Sequence, residues 1–136
     1  MRTFGYICIL LCLAILCNGC SNTSSRDKAV ANPEQVALAD SILLYFQEEQ
    51  FDKIVVHFDD KMKWALNKEQ LAVAWAQLSI QFGTYTKSDF HSAQKINNVG
   101  DRIVYTCYFG SRKLYFQLYV GKENQVIGMF FKPQLN

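Results

Sequence analysis

The sequence predicts an α+β domain in which N-terminal helices pack on a curved, four-stranded antiparallel sheet. Two observations lead there. Up to Gly83 the apolar residues recur at spacings of three and four, and beyond Gly83 they recur at every second position. Helices first and strands second is the order of a layered α+β architecture. The chain is expected to divide into a signal peptide over 1–19, a tether over 20–31, the domain over 32–133 and a tail over 134–136.

The first helix is expected to start at Asn32-Pro33-Glu34-Gln35, with Asn32 as N-cap, Pro33 in the first turn where its missing donor costs nothing, and Gln35 closing a capping box. It should run to about Gln50, with Val36, Ala39, Ile42, Leu43 and Phe46 on one arc. A short helix is expected over Asp52 to His57, followed by an acidic turn at Asp59-Asp60. The next helix should begin at Asn67, boxed by Gln70, and carry Leu71, Ala74, Trp75, Leu78 and Phe82 on one stripe. Gly83 is expected to end it as a left-handed cap.

Four strands follow, near Thr84 to Ile96, Asp101 to Phe109, Arg112 to Val120 and Gln125 to Phe131. A two-residue loop at Gly110-Ser111 would oppose Phe109 to Arg112, Cys107 to Leu114, Tyr105 to Phe116 and Ile103 to Leu118. That register gathers one apolar face, to which a turn at Lys122 to Asn124 should return Ile127, Met129 and Phe131. The other face would carry Val104, Thr106 and Tyr108 beside Lys113, Tyr115, Gln117 and Tyr119.

The first twenty residues read as an export signal: Met1-Arg2, then a 13-residue apolar run from Phe4 to Leu16, then Cys17-Asn18-Gly19-Cys20. The run falls short of the roughly 20 residues that cross a bilayer. Gly19-Cys20 resembles a bacterial lipoprotein box, which would make Cys20 the lipidated first residue and anchor the protein to a membrane of the cell envelope. Ordinary secretion with cleavage near Gly19 is the alternative. Of five cysteines, Cys8, Cys12 and Cys17 fall in the signal and Cys20 at its end, which leaves Cys107 alone in a strand, with no disulfide framework. With 14 Lys and Arg against 12 Asp and Glu, the charge makes no case for nucleic acid.

Phe51-Asp52, Phe58, Met62-Lys63, Ala65-Leu66, Gln70-Leu71, Trp75, Leu78, Gly83, Gly121-Lys122, Val126-Ile127-Gly128 and Phe130-Phe131-Lys132-Pro133 carry a resemblance. From Ala39 to Pro133 the chain resembles an uncharacterised bacterial domain family often found ahead of α/β-hydrolase domains. The resemblance implies the cone-like fold of the nuclear-transport-factor-2 superfamily. No Gly-x-Ser-x-Gly elbow occurs in the sequence, so hydrolase chemistry is not expected of it.

Members of that superfamily with isomerase activity pair a carboxylate base with a tyrosine donor. Asp89, His91 and Tyr105 are the residues here that would have to meet for such chemistry, and solvated strand positions are the competing reading. His57, Asp59 and Asp60 suggest a metal but lack a fourth ligand at recognisable spacing, so a helix end with an acidic turn is the better account. No catalytic residue, metal or cofactor is assigned.

Two non-catalytic sites are expected. Trp64, Trp75, Phe82, Phe116, Met129 and Phe131 would line an apolar cavity between helices and sheet, against the simpler reading of a filled core. Val104, Tyr108, Tyr115 and Tyr119 would form an interface for a homodimer or an envelope protein. The expected function is a lipid-anchored, exported domain that binds a small apolar ligand or a protein. The alternatives are self-association without a ligand and a small isomerase-like enzyme.

Overall fold

A computed structural model describes residues 32–134. The expected signal peptide, the expected lipidation site Cys20, the expected tether over 20–31 and most of the expected tail lie outside the described residues. The elements run α1 (Pro33–Gln47), α2 (Phe51–Val55), α3 (Asp60–Ala65), α4 (Lys68–Phe82), β1 (Tyr85–Ile96), β2 (Gly100–Phe109), β3 (Arg112–Gly121) and β4 (Val126–Pro133). The strands form one antiparallel sheet in the order β1-β2-β3-β4, which makes β1 and β4 its edges. The fold class is α+β, with the helices N-terminal to the strands.

Asn32 caps α1 by accepting from the Glu34 amide at 3.0 Å, and Pro33 sits in the first turn. The capping box does not form. Gln35 is buried instead, and its Nε2 donates to Asn124 Oδ1 at 3.3 Å, tying the start of α1 to the β3–β4 turn. The helix stops at Gln47, short of Gln50, because Glu49 takes a positive φ of 56° and the Gln50 amide turns back to the Tyr45 carbonyl. Val36, Ala39, Ile42, Leu43 and Phe46 are all buried, as their spacing requires.

Asp59 does not sit in a solvated acidic turn. Its carboxylate accepts from the Met62 amide at 2.8 Å and caps α3, a helix not expected from the sequence. In α4 the box is complete: Asn67 Oδ1 accepts from the Gln70 amide, and Gln70 Oε1 accepts from the Asn67 amide, both at 2.9 Å. Gly83 ends α4 with φ 97° and ψ 178°, which is extended rather than left-handed helical. This conformation turns the chain directly into β1, where Gly83 packs on Gly110 so closely that a Cβ would lie 3.1 Å from Gly110 Cα.

All four opposed pairs expected across Gly110-Ser111 are present. Three strand residues have no partner in register: Thr86 and His91 in β1, and Ile127 in β4. Each is a bulge, which bends its strand and increases its twist. The bulge at Ile127 places Val126, not Ile127, on the core face, opposite Val120, and beyond it Met129 faces Leu118 and Phe131 faces Phe116. The core lies between the helices and this face, built from Ala39, Ile42, Phe46, Ile54, Phe58, Leu71 and Trp75 against Ile103, Cys107, Phe109, Phe116, Leu118 and Val126. No described helix is long and apolar enough to cross a membrane.

Candidate binding groove

Phe46, Trp75 and Phe131 form the centre of the helix–sheet contact. Trp75 stacks on Phe46 with ring centroids 4.9 Å apart and meets Phe109 and Phe131 at 5.5 and 5.9 Å. Phe131 in turn lies 4.9 Å from Phe116. These stacked, tilted and edge-on pairs suit the ring quadrupoles and hold α4 against β4. Above them an open groove of ≈ 480 Å³ runs between the two elements. Leu71, Ala74 and Leu78 of α4 line one wall, Met129 to Lys132 of β4 line the other, and Leu66 is among the lining residues. Gln77 and Gln81 reach the rim, and Lys132 is the single charged side chain of the lining.

The six residues expected to line a cavity separate in the fold. Trp75, Met129 and Phe131 reach the groove, while Phe116 is fully buried beneath it. Phe82 borders a neighbouring cleft of ≈ 300 Å³ with Arg112 and Pro133. Trp64 lines neither the groove nor this cleft: it is 91% exposed. It stands on α3, which buries none of its residues fully, and Met62 and Leu66 supply the contacts with the core there. Leu66 and the β4 residues Phe130 and Lys132 were not legible as lining, because they meet α4 only through the tertiary fold.

Asp89, His91 and Tyr105 do not meet. Tyr105 faces inward and donates its hydroxyl to the Asp40 carboxylate on α1. Burial, then the hydrogen bond to Asp40, push its pKa up. Asp89 and His91, two residues apart in β1, share the outer face, and the His91 ring lies 5.0 Å from Tyr115. The Lys87 ammonium 3.2 Å from Asp89, with a hydrogen bond from Tyr108, holds the Asp89 carboxyl below the usual range. His57 lies parallel to Tyr45, with ring centroids 6.5 Å apart, and does not join Asp59 in a ligand set.

On the outer face Val104 is covered, and Tyr108, Tyr115 and Tyr119 are half-buried. Lys87 and Lys113 lie 4.5 and 5.3 Å from the Tyr108 ring centre, Gln134 donates to the Tyr115 hydroxyl, and Phe130 meets Tyr119 edge-on. Burial pushes the Cys107 thiol up to about 12, which marks a packed thiol rather than a nucleophile.

A model of the family described as protein of unknown function, DUF3887, matches residues 39–129. The chain belongs to that family. The DUF3887 match spans α2, α3 and α4 whole and reaches Met129 in β4, so it takes in Trp75 and the α4 wall of the groove. No curated protein and no solved structure matches this DUF3887 chain.

Proposed function

We propose that this DUF3887 domain is a lipid-anchored module of the bacterial cell envelope that holds an apolar partner in the groove between α4 and β4. The groove carries the reading: it is open, its walls are apolar, and it contains no acid–base pair that would do chemistry. Its ≈ 480 Å³ falls within the range of small binding sites, roughly 300–1,000 Å³. The order of helices followed by a meander agrees with a nuclear-transport-factor-2-like cone, and the export signal with Gly19-Cys20 agrees with an envelope address. The isomerase-like alternative loses its residue set, since Tyr105 and the Asp89–His91 pair occupy opposite faces of the sheet.

Ala74 is exposed at the groove wall, so Ala74→Trp fills the space without disturbing the core. Nile red should fluoresce on binding the native protein and stay dark with Ala74→Trp at equal stability. Equal dye binding by both proteins would remove the groove as the site. Intact mass from the membrane fraction tests the anchor: acyl chains present in the native protein and lost in Cys20→Ser support it, and an unmodified soluble protein refutes it.

A further inference from the structure

The wall contributed by β4 is a strand edge. Successive strand side chains point to opposite faces, so a groove lying over one face would touch Met129 and Phe131 alone. This one touches Met129, Phe130, Phe131 and Lys132 in succession, and therefore runs along the edge of the strand.

The hydrogen bonding shows which backbone groups face it. In an antiparallel ladder, residues bonded to the neighbour alternate with residues whose groups point away. The Gln134 amide donates to the Lys113 carbonyl at 3.3 Å and the Gly121 amide to the Gln125 carbonyl at 2.8 Å. The β3 residues between them that bond β4 are thus Tyr115, Gln117 and Tyr119, paired with Lys132, Phe130 and Gly128. Phe131 and Met129 direct their N–H and C=O outward. Val126 has the same phase, and its outward groups are already used: its amide donates to the His57 carbonyl at 2.7 Å, and its carbonyl accepts from the Asp59 amide at 3.0 Å. The chain itself thus adds one parallel bridge to this edge at Val126. Two residues past the bulge, no hydrogen bond among the described residues occupies the outward groups of Met129 and Phe131.

Two donors and two acceptors spaced about 7 Å apart along a strand are the pattern that another strand satisfies. An alkyl chain in the same place would strip water from these groups and return no hydrogen bond. Across from them, Leu71, Ala74 and Leu78 accept apolar side chains, and Lys132 is the one charge in the lining and joins no ion pair among the described residues. We infer that the occupant of the groove is an extended apolar peptide segment of a partner protein. It adds to β4 as a fifth strand, bonds Met129 and Phe131, and carries a carboxylate at the Lys132 end. This rests on the groove reading above and names the partner's chemistry.

The probe is a pool of octapeptides alternating valine or leucine with threonine and carrying glutamate at either end, with a matched lysine pool, added to the protein over residues 20–136. Binding should protect the Met129 and Phe131 amides from hydrogen exchange and leave Phe130 and Lys132 unchanged. The glutamate pool should bind at least about tenfold more tightly than the lysine pool. N-methylating alternate peptide amides should abolish binding in one phase and be tolerated in the other. Equal tolerance of both phases, or unchanged exchange at Met129 and Phe131, would overturn the added strand. Protection that grows with protein concentration alone would make a second copy the occupant and overturn it as well. Nile red binding with no peptide binding ends this inference and leaves the groove reading standing, whereas failure of both probes ends both.

Discussion

The two tryptophans give the sharpest contrast in the molecule. Trp75 is 6% exposed and Trp64 is 91% exposed. Trp75→Ala removes an indole in contact with Phe46, Tyr85, Phe109 and Phe131. Truncating a buried aromatic costs about 3–5 kcal/mol, a large share of the roughly 5–15 kcal/mol that holds a domain together. At about 4–8 °C per kcal/mol for a domain near 100 residues, the melting temperature should fall by roughly 12–40 °C. Trp64→Ala touches no core contact and should stay within about 0.5 kcal/mol of the native protein. Urea unfolding followed by far-ultraviolet circular dichroism reads both variants without relying on the lost fluorophore, and unchanged slopes would license the comparison. A Trp75→Ala loss below about 1 kcal/mol, or a Trp64→Ala loss above about 2 kcal/mol, would refute the docking of α4 on the sheet as described.

Three further outcomes follow from other parts of the fold. Cys107 keeps its proton in the folded state up to about pH 12, while the unfolded thiol ionises near its ordinary 9.0, so stability falls as pH rises through that window. The loss from this thiol approaches about 1.4 kcal/mol per pH unit, and Cys107→Ala should flatten urea midpoints measured between pH 9 and 11 relative to the native protein. Asn67→Ala removes the side-chain acceptor of the Gln70 amide at the start of α4 and should cost about 1 kcal/mol in the same assay, with Asn67→Asp nearly neutral. Gly100 has φ 151°, and a Cβ there would fall 1.9 Å from the Val120 carbonyl oxygen, so Gly100→Ala should force β2 and β3 apart and cost more than the roughly 1–3 kcal/mol of backbone strain alone.

Much of the fold could be read from local patterns. The α1 stripe from Val36 to Phe46, the Asn67–Gln70 box and the Gly110-Ser111 register all depend on neighbours in sequence, and each is present. The differences arise where distant segments decide. Gln35 forsakes its box because Asn124, 89 residues away, offers its buried side chain a partner. The bulge that exchanges Ile127 for Val126 on the core face accompanies the parallel bridge to Phe58, a contact no periodicity reports. Helix α3 escaped because none of its residues is fully buried, which leaves no apolar stripe to find, and Trp64 read as cavity lining by residue type alone. The groove was half legible: its floor residues Trp75 and Phe131 follow helical and strand periods, but its wall is an edge, and an edge is a property of strand order.

An apolar partner held in the α4–β4 groove should perturb that groove alone, which chemical-shift mapping of the labelled protein titrated with Nile red reads residue by residue. Shifts confined to Leu71, Ala74, Trp75, Leu78, Met129 and Phe131, absent in Ala74→Trp, are the predicted result. Saturating shifts on Tyr108, Tyr115 and Tyr119 with the groove silent would contradict the account and move the site to the outer face of the sheet.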